Sequence, residues 1–125
     1  MIWMKEQTDP RFERQIKKGV MEMLVLQLLS EGPNYGYQLL TRLADTPSGL
    51  LKVKEGTLYP ILYRLEEDGM LESGWQTGER RATPKKMYTI TEKGKKELLR
   101  QHRIWEAFQA DIVFIQNGEE MEHEI

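Results

Sequence analysis

The segment EGTLYPILYRLEEDGML, residues 55–71, constrains the fold more than any other part of this 125-residue chain. Leu58, Ile61, Leu62 and Leu65 recur at i, i+3, i+4 and i+7, the spacing that puts side chains on one face of an α-helix. Pro60 lies among them. Proline is well tolerated in a helix only in the first turn, where amides have no intrahelical partner. The proline therefore predicts a helix over residues 55–68 with Thr57 as its N-cap and Pro60 as its third helical position. The apolar stripe then turns inward and leaves Thr57, Pro60, Tyr63, Arg64 and Glu67 outside, with Tyr59 at the boundary. That outer face is either plain solvated surface or a surface for recognition.

The flanking sequence supplies the context. Between residues 12 and 31, Ile16, Val20, Met23, Leu24 and Leu28 follow the helical period, and Glu31-Gly32-Pro33 stops it. Asn34 is a good N-cap for a second helix, in which Tyr35, Leu39, Leu40 and Leu43 continue an apolar stripe as far as DTPSG. LLKVK, residues 50–54, alternates weakly and reads as a short strand. After the proline-bearing helix, MLESGW and KKMYTIT read as two strands of a hairpin, with Tyr88 and Ile90 on one face and the polar QTGERRATP between them. Thr91 caps a last helix, Glu92 sits in its first turn, and the period persists to about Gln116 before Asn117 and Gly118 end it. The predicted order is helix, helix, short strand, helix, hairpin, long helix.

Charge and composition exclude several functions. The chain has no cysteine, which removes disulfides, thiolate metal sites and cysteine nucleophiles, and its two histidines, His102 and His123, make no metal cluster between them. No catalytic constellation or glycine-rich phosphate loop is present, so neither an enzyme nor a cofactor or metal site is expected. Apolar runs are far too short to span a membrane, and the first residues lack the pattern of a secretory signal, so a cytoplasmic protein is expected. The formal charge is −2, but Glu119, Glu120, Glu122 and Glu124 crowd the last eight residues, and without them it becomes +2. Between positions 78 and 103, nine bases stand against three acids. A basic segment lies within a nearly neutral chain.

Two helices, a third with an aromatic and cationic outer face, and a hairpin with a basic tip form the order of a winged helix-turn-helix. In that arrangement the third helix enters the major groove of DNA and the wing reaches the backbone or the minor groove. The fold class expected is mainly α (α+β), a winged helix-turn-helix with a long C-terminal dimerisation helix. Thr57 and Tyr63 can donate hydrogen bonds to phosphate or base edges, and Arg64 can pair with phosphate or guanine. Arg80, Arg81, Lys85 and Lys86 would neutralise phosphate at the wing, and Lys17 and Lys18 would touch a flanking phosphate. Each of these residues, taken singly, could equally be ordinary surface.

KKGVMEMLVLQLLSEGPNYGYQLL, EGTLYPILYRLEEDGML and KKMYTITEKGKKEL together resemble the PadR-like transcriptional regulators, named for the phenolic acid decarboxylase regulator, over about residues 16–98. The resemblance implies a winged-helix repressor of the short-tailed group that binds double-stranded DNA at an inverted-repeat operator as a homodimer. Thr57, Tyr59, Pro60 and Arg64 match the family's pattern in the third helix, as do Tyr88 and Thr91 after the wing. Met87 stands where an aromatic is common, and the wing segment GERRATPKK is longer than the tightest versions.

The last helix, residues 92–117, would extend about 39 Å at 1.5 Å per residue, more than a small winged domain can cover. Trp105, Phe108, Ile112 and Ile115 fall at alternating three- and four-residue spacing, with Leu98 one heptad before Trp105, as in a dimer seam; the alternative is packing on the chain's own core. Leu24 and Leu28 could share that interface. Some short-tailed relatives resemble multidrug sensors that stack flat aromatic compounds on a tryptophan here, which makes Trp105 a candidate residue for a small aromatic effector; the plainer reading is an aromatic plug. Trp3 and Trp75 are expected to be packing residues. The expected divisions are residues 1–91 for DNA binding, 92–117 for dimerisation and 118–125 as an acidic tail. The rival to a DNA-binding regulator is a winged-helix adaptor that binds only proteins, for which a basic hairpin tip beside Arg64 is not required.

Overall fold

The computed structural model describes residues 9–76 and 85–123. Four helices and three short strands follow one another as α1 (Arg11–Ser30), β1 (Asn34–Tyr35), α2 (Gly36–Ala44), α3 (Glu55–Glu67), β2 (Leu71–Gln76), β3 (Lys85–Ile90) and α4 (Glu92–His123). The strands form an antiparallel sheet in the order β1-β3-β2. Helices α1, α2 and α3 pack on this sheet, and α4 leaves it as a long arm. This is a winged helix with a helical extension, the fold class expected.

The core is a single apolar cluster in which every helix and the sheet take part: Met21, Val25, Leu26 and Leu29 from α1, Leu39 and Leu43 from α2, Leu58, Leu62 and Leu65 from α3, Leu71, Tyr88 and Ile90 from the sheet, and Leu98 from α4. Leu58 and Leu62, two members of the stripe read from the sequence, are completely buried. In α1 the buried line lies on a different face from the one expected. Ile16 is largely exposed and Val20, Met23, Leu24 and Leu28 are only partly covered. The helix is apolar on two faces: Met23, Leu24 and Leu28 flank the buried line and pack against the core, while Ile16, Val20 and Met23 look toward α4.

The start of α3 differs from the expectation. Lys54 occupies the N-cap position, and its carbonyl accepts the amides of Thr57 and Leu58 at 2.9 and 3.0 Å. Thr57 is therefore inside the helix and Pro60 falls beyond the first turn, so its missing N–H does leave the Gly56 carbonyl without its usual partner. Both residues are exposed, so water can take that place and the loss is tolerated at the surface. The end of α3 is a Schellman motif. Gly69 adopts φ 79°, its amide donates to the Glu66 carbonyl at 3.0 Å, and the Met70 amide donates to the Leu65 carbonyl at 2.9 Å.

Two further differences affect the sheet. Residues 50–54 form a turn and irregular backbone, and the strand expected there is replaced by Asn34 and Tyr35, which pair with Tyr88 and Met87. Asn34 is consequently a strand residue and Tyr35 the N-cap of α2, its amide donating to Gln38 Oε1 at 2.8 Å. The hairpin itself is as expected, with Leu71 opposite Ile90 and Trp75 opposite Lys86.

Thr91 caps α4, its Oγ1 accepting the Gly94 amide at 3.0 Å while its hydroxyl donates to the Gly69 carbonyl at 2.6 Å. This ties the long arm to the end of α3. A Cβ on Gly94 would lie 2.2 Å from the Met70 carbonyl oxygen, so only glycine lets α4 cross this close. Backbone geometry breaks at Asn117, where the helix was expected to stop, but helical backbone resumes to His123. Among the described residues no helix is long and apolar enough to cross a membrane.

Candidate nucleic-acid interface

Helix α3 presents an outer face with two edges. Thr57, Tyr59, Pro60, Tyr63 and Arg64 are all exposed, yet they point toward different neighbours. Arg64 leans on α1, where its Nε donates to Glu22 Oε2 at 3.0 Å and a second guanidinium nitrogen reaches the same oxygen. Tyr59 leans the other way, onto the start of α2. Its ring packs so tightly over Gly36 that a Cβ there would lie 2.3 Å from Tyr59 Oη. Burial, and then the carboxylate of Glu55, push the Tyr59 hydroxyl above the ordinary tyrosine value. A hydrogen bond with Glu67 does the same for Tyr63. Both hydroxyls keep their protons and remain donors.

The base of the wing meets α3 through Glu66. Ser73 of β2 donates to Glu66 Oε2 at 2.6 Å, and Lys86 Nζ of β3 lies 3.7 Å from Glu66 Oε1. One carboxylate thus holds both strands against the helix and compensates part of the charge of Lys86. Lys86 Nζ also sits 5.8 Å from the ring centroids of both Trp75 and Tyr88. Lys85, on the other face of the strand, places its ammonium over the rings of Tyr35 and Tyr37, at 5.7 and 5.2 Å. Those two rings are themselves stacked, with centroids 5.8 Å apart and planes 7° from parallel.

A cleft of about 500 Å3 results between α3, the hairpin and the start of α2. Among the residues expected to contact DNA, Tyr59, Tyr63, Lys85 and Lys86 line it, and Arg64 does not. Thr57 and Pro60 lie on the open face of α3. Lys18 is exposed, but the Lys17 ammonium donates to the Lys52 carbonyl at 2.8 Å and pins α1 to the loop before α3. Arg80 and Arg81 lie outside the described residues, as does Trp3. Trp75, expected to pack, is instead 67% exposed at the rim of the cleft.

Tyr35, Tyr37, Glu22, Glu66 and Trp75 were not singled out as site residues from the sequence. Tyr35 ends β1 and Tyr37 already belongs to α2, so no single period in NYGY marks the stacked pair, and the pairing of Trp75 with Lys86 depends on hairpin register.

On α4, Leu98, expected in the seam, is only 8% exposed and belongs to the protein's own core. Phe108, Ile112 and Ile115 are exposed, Ile115 to 77%, together with Ile104, Val113 and Phe114. Trp105 is half-buried and lines a groove of about 340 Å3 between α1 and α4, walled by Ile16, Val20, Met23, Ile104 and Phe108. The second apolar face of α1 thus meets the apolar face of α4. Among the described residues no group of His, Asp or Glu side chains is arranged to hold a metal ion.

Known proteins share this fold. A crystal structure of a PadR family transcriptional regulator from Eggerthella lenta is 31% identical and superposes with a TM-score of 0.78 over 91% of this chain and 96% of that one. A transcriptional regulator from Clostridium thermocellum is 30% identical, with a TM-score of 0.71 over 78% of this chain and 91% of its own. A PadR-like transcriptional regulator from Bacillus cereus is 29% identical, with a TM-score of 0.70 over 82% and 96%. The family model described as the transcriptional regulator PadR-like family matches residues 25–100. With that match spanning most of the winged domain and the first turns of α4, the chain belongs to the PadR-like family of transcriptional regulators.

Proposed function

We propose that this protein is a repressor that binds an inverted-repeat operator as a homodimer, with α3 in the major groove and the hairpin along the backbone. The observation that carries the reading is the convergence of Tyr59, Tyr63, Lys85 and Lys86 on one side of the winged domain, beside the exposed Thr57 and Pro60. Donors and cations gathered between a helix and a wing are what phosphate and base-edge contacts need. Arg80 and Arg81, which the sequence places between β2 and β3, add to the positive charge of this segment. Residues 1–91 act as the DNA-binding part, 92–117 as the dimerisation helix and 118–125 as an acidic tail.

The dimer is supported by the exposed apolar side chains Phe108, Ile112 and Ile115 on α4, which extend beyond the winged domain. Contiguous apolar surface of this kind is covered in a stable protein. A response to a small aromatic compound is favoured by one further observation, the half-buried Trp105 facing Val20 and Met23 across the groove between α1 and α4.

A mobility-shift titration on the DNA upstream of the protein's own coding region tests the reading, repeated across salt concentrations. The Arg80→Ala, Arg81→Ala double variant should weaken binding to all duplexes alike and flatten the log–log salt slope by roughly 2, about 1 for each phosphate no longer neutralised. A parent protein that shifts no duplex, while still binding other proteins, would support the adaptor reading instead.

A further inference from the structure

The end of α3 and the root of α4 form a joint in which the carbonyls that close α3 are taken by the first residues of the arm. The Lys93 ammonium donates to the Asp68 carbonyl at 2.8 Å, the Thr91 hydroxyl to the Gly69 carbonyl at 2.6 Å and the Thr91 amide to the Met70 carbonyl at 3.0 Å. The Thr91 hydroxyl oxygen also accepts the Gly94 amide at 3.0 Å, so one side chain caps α4 and grips the end of α3. The Lys93 stem runs beside Gly69, where a Cβ would stand 3.6 Å from its Cδ, and its charge lies at the negative end of the α3 dipole. Neither Thr91 nor Lys93 belongs to the apolar core. Carbonyls at an exposed helix end are readily satisfied by water. What these bonds add is a fixed angle between α3 and α4.

That angle has leverage. From Thr91 to the exposed Ile112 the arm spans about 30 Å at 1.5 Å per residue. A rotation of about 7° at the root displaces the far end by about 3.5 Å, close to one base-pair step of B-DNA. In a dimer held through α4, the same rotation shifts each α3 relative to the two-fold axis, and the two shifts add. A joint loose by a few degrees therefore accepts half-sites one base pair too close or too far apart, and a stiff one rejects them. Buried Leu98 pins the arm at a second point, but an apolar contact has no preferred direction and resists small rotations poorly. The directional bonds at Thr91 and Lys93 supply that resistance.

We propose that Thr91 and Lys93 are positioning residues that set the half-site spacing this regulator accepts, by fixing the angle between α3 and the dimerisation arm. This rests on the reading of the protein as a dimeric DNA-binding regulator, and it adds a determinant of specificity that touches neither base nor phosphate.

Two measurements on the full-length protein test it, the first without DNA. The chain has no cysteine, so Thr57→Cys, at the exposed start of α3, takes one spin label per protomer, and pulsed dipolar spectroscopy reads the distance between the two α3 helices of a dimer. The labelled parent should give one narrow distribution. Thr91→Val combined with Lys93→Met should broaden it by about 3.4 Å or more, one base-pair step. Thr91→Ser, which keeps the hydroxyl, should leave it narrow. The second measurement is an anisotropy titration on inverted repeats of the half-site that the parent selects from a random-sequence pool, with the spacer at its optimum and one or two base pairs shorter or longer. The parent should lose about tenfold in affinity for each base pair of displacement and the double variant only about twofold, because a stiff dimer forces the DNA to deform and a loose one does not. Affinity for a single half-site and sedimentation as a dimer should stay parental. Lys93→Met alone, at an exposed position, should change both profiles in the same sense, which decides the matter if thermal melts show that Thr91→Val does not fold. Folded variants with the parental distance width and spacing profile would overturn the assignment. So would a loss equal at every spacing and on the single half-site, which is what damage to α3 alone produces. If the parent selects no half-site at all, the DNA-binding reading fails and the spacing role with it, whereas the distance measurement still reports on the joint by itself.

Discussion

Arg64 on α3 is bound to Glu22 on α1, with its Nε and a second guanidinium nitrogen both directed at Glu22 Oε2. The two side chains are partly exposed, so the pair adds at most about 1 kcal/mol to stability. Its larger effect is on charge. A guanidinium already compensated by a carboxylate contributes less to an anionic ligand than a free one.

Glu22→Gln should therefore bind DNA more tightly at low salt, with a log–log slope steeper by roughly 1, because Arg64 is released toward phosphate. Arg64→Ala should keep its fold. If Arg64 leaves Glu22 to read a base, the loss of affinity will be about 1 to 3 kcal/mol and concentrated at one position of each half-site. Binding isotherms for the two variants over a set of operator mutants check this. Parental behaviour in both would make Arg64 a strut between α1 and α3.

The close approach of Tyr59 to Gly36 gives a second prediction. Gly36→Ala introduces a Cβ where the Tyr59 ring lies, so it should destabilise by about 1 to 3 kcal/mol, as overpacking does. Combining it with Tyr59→Leu should cost less than the sum of the two single changes, because the ring is no longer there to clash. Gly94→Ala should be worse than Gly36→Ala. The Cβ there meets the backbone carbonyl of Met70, which cannot rotate away as a side chain can. Urea denaturation of the four variants ranks these effects, and strict additivity at positions 36 and 59 would contradict the contact.

A third prediction concerns alkaline pH. Burial raises the hydroxyl of Tyr59, with Glu55 adding to it, and burial followed by Glu66 and Tyr59 raises that of Tyr88. A folded state that holds these protons more tightly than the unfolded chain gains stability that is complete below the ordinary tyrosine value of 10.0 and is lost as pH climbs through the raised values. The melting temperature should fall above that pH, and less steeply in Tyr59→Phe. Tyrosinate absorbance followed alongside the melts measures both, and a parent and variant with the same alkaline profile would exclude Tyr59 from the effect.

Much of this molecule was legible in its sequence where one physical signal dominated. Leu58, Leu62 and Leu65 had to face inward, Tyr88 and Ile90 had to share a strand face, and Thr91 had to cap a helix, because each satisfied period and capping chemistry at once. Signals that competed were misread. Pro60 suggested a helix start at Thr57, but the Lys54 carbonyl accepts the first amides and the exposed surface tolerates the missing hydrogen bond. The two apolar faces of α1 obey the same period, so periodicity could not say which one enters the core. Leu98 fitted the heptad of the seam but lies where α4 still crosses the winged domain. The charge compensation of Arg64 by Glu22, 42 positions away in the chain, and the mounting of Lys85 on Tyr35 and Tyr37 depend on tertiary placement, which no local pattern encodes.

The central claim is that α4 organises two winged domains into one DNA-binding unit. A two-fold dimer would place its α3 helices about one turn of B-DNA apart, roughly 34 to 36 Å, so the site should be an inverted repeat with that spacing. Trp105→Ala should leave the dimer intact and alter only the quenching of protein fluorescence by flat aromatic compounds. Ile112→Glu is the decisive variant. Its side chain is exposed on the single chain, so the fold should survive, but two carboxylates would meet near the axis of the dimer, where losing their hydration is unfavourable. Sedimentation velocity combined with an operator titration of Ile112→Glu should show a folded monomer that binds DNA far more weakly than the parent, with the wing and α3 unaltered. A monomer with parental operator affinity would contradict the account.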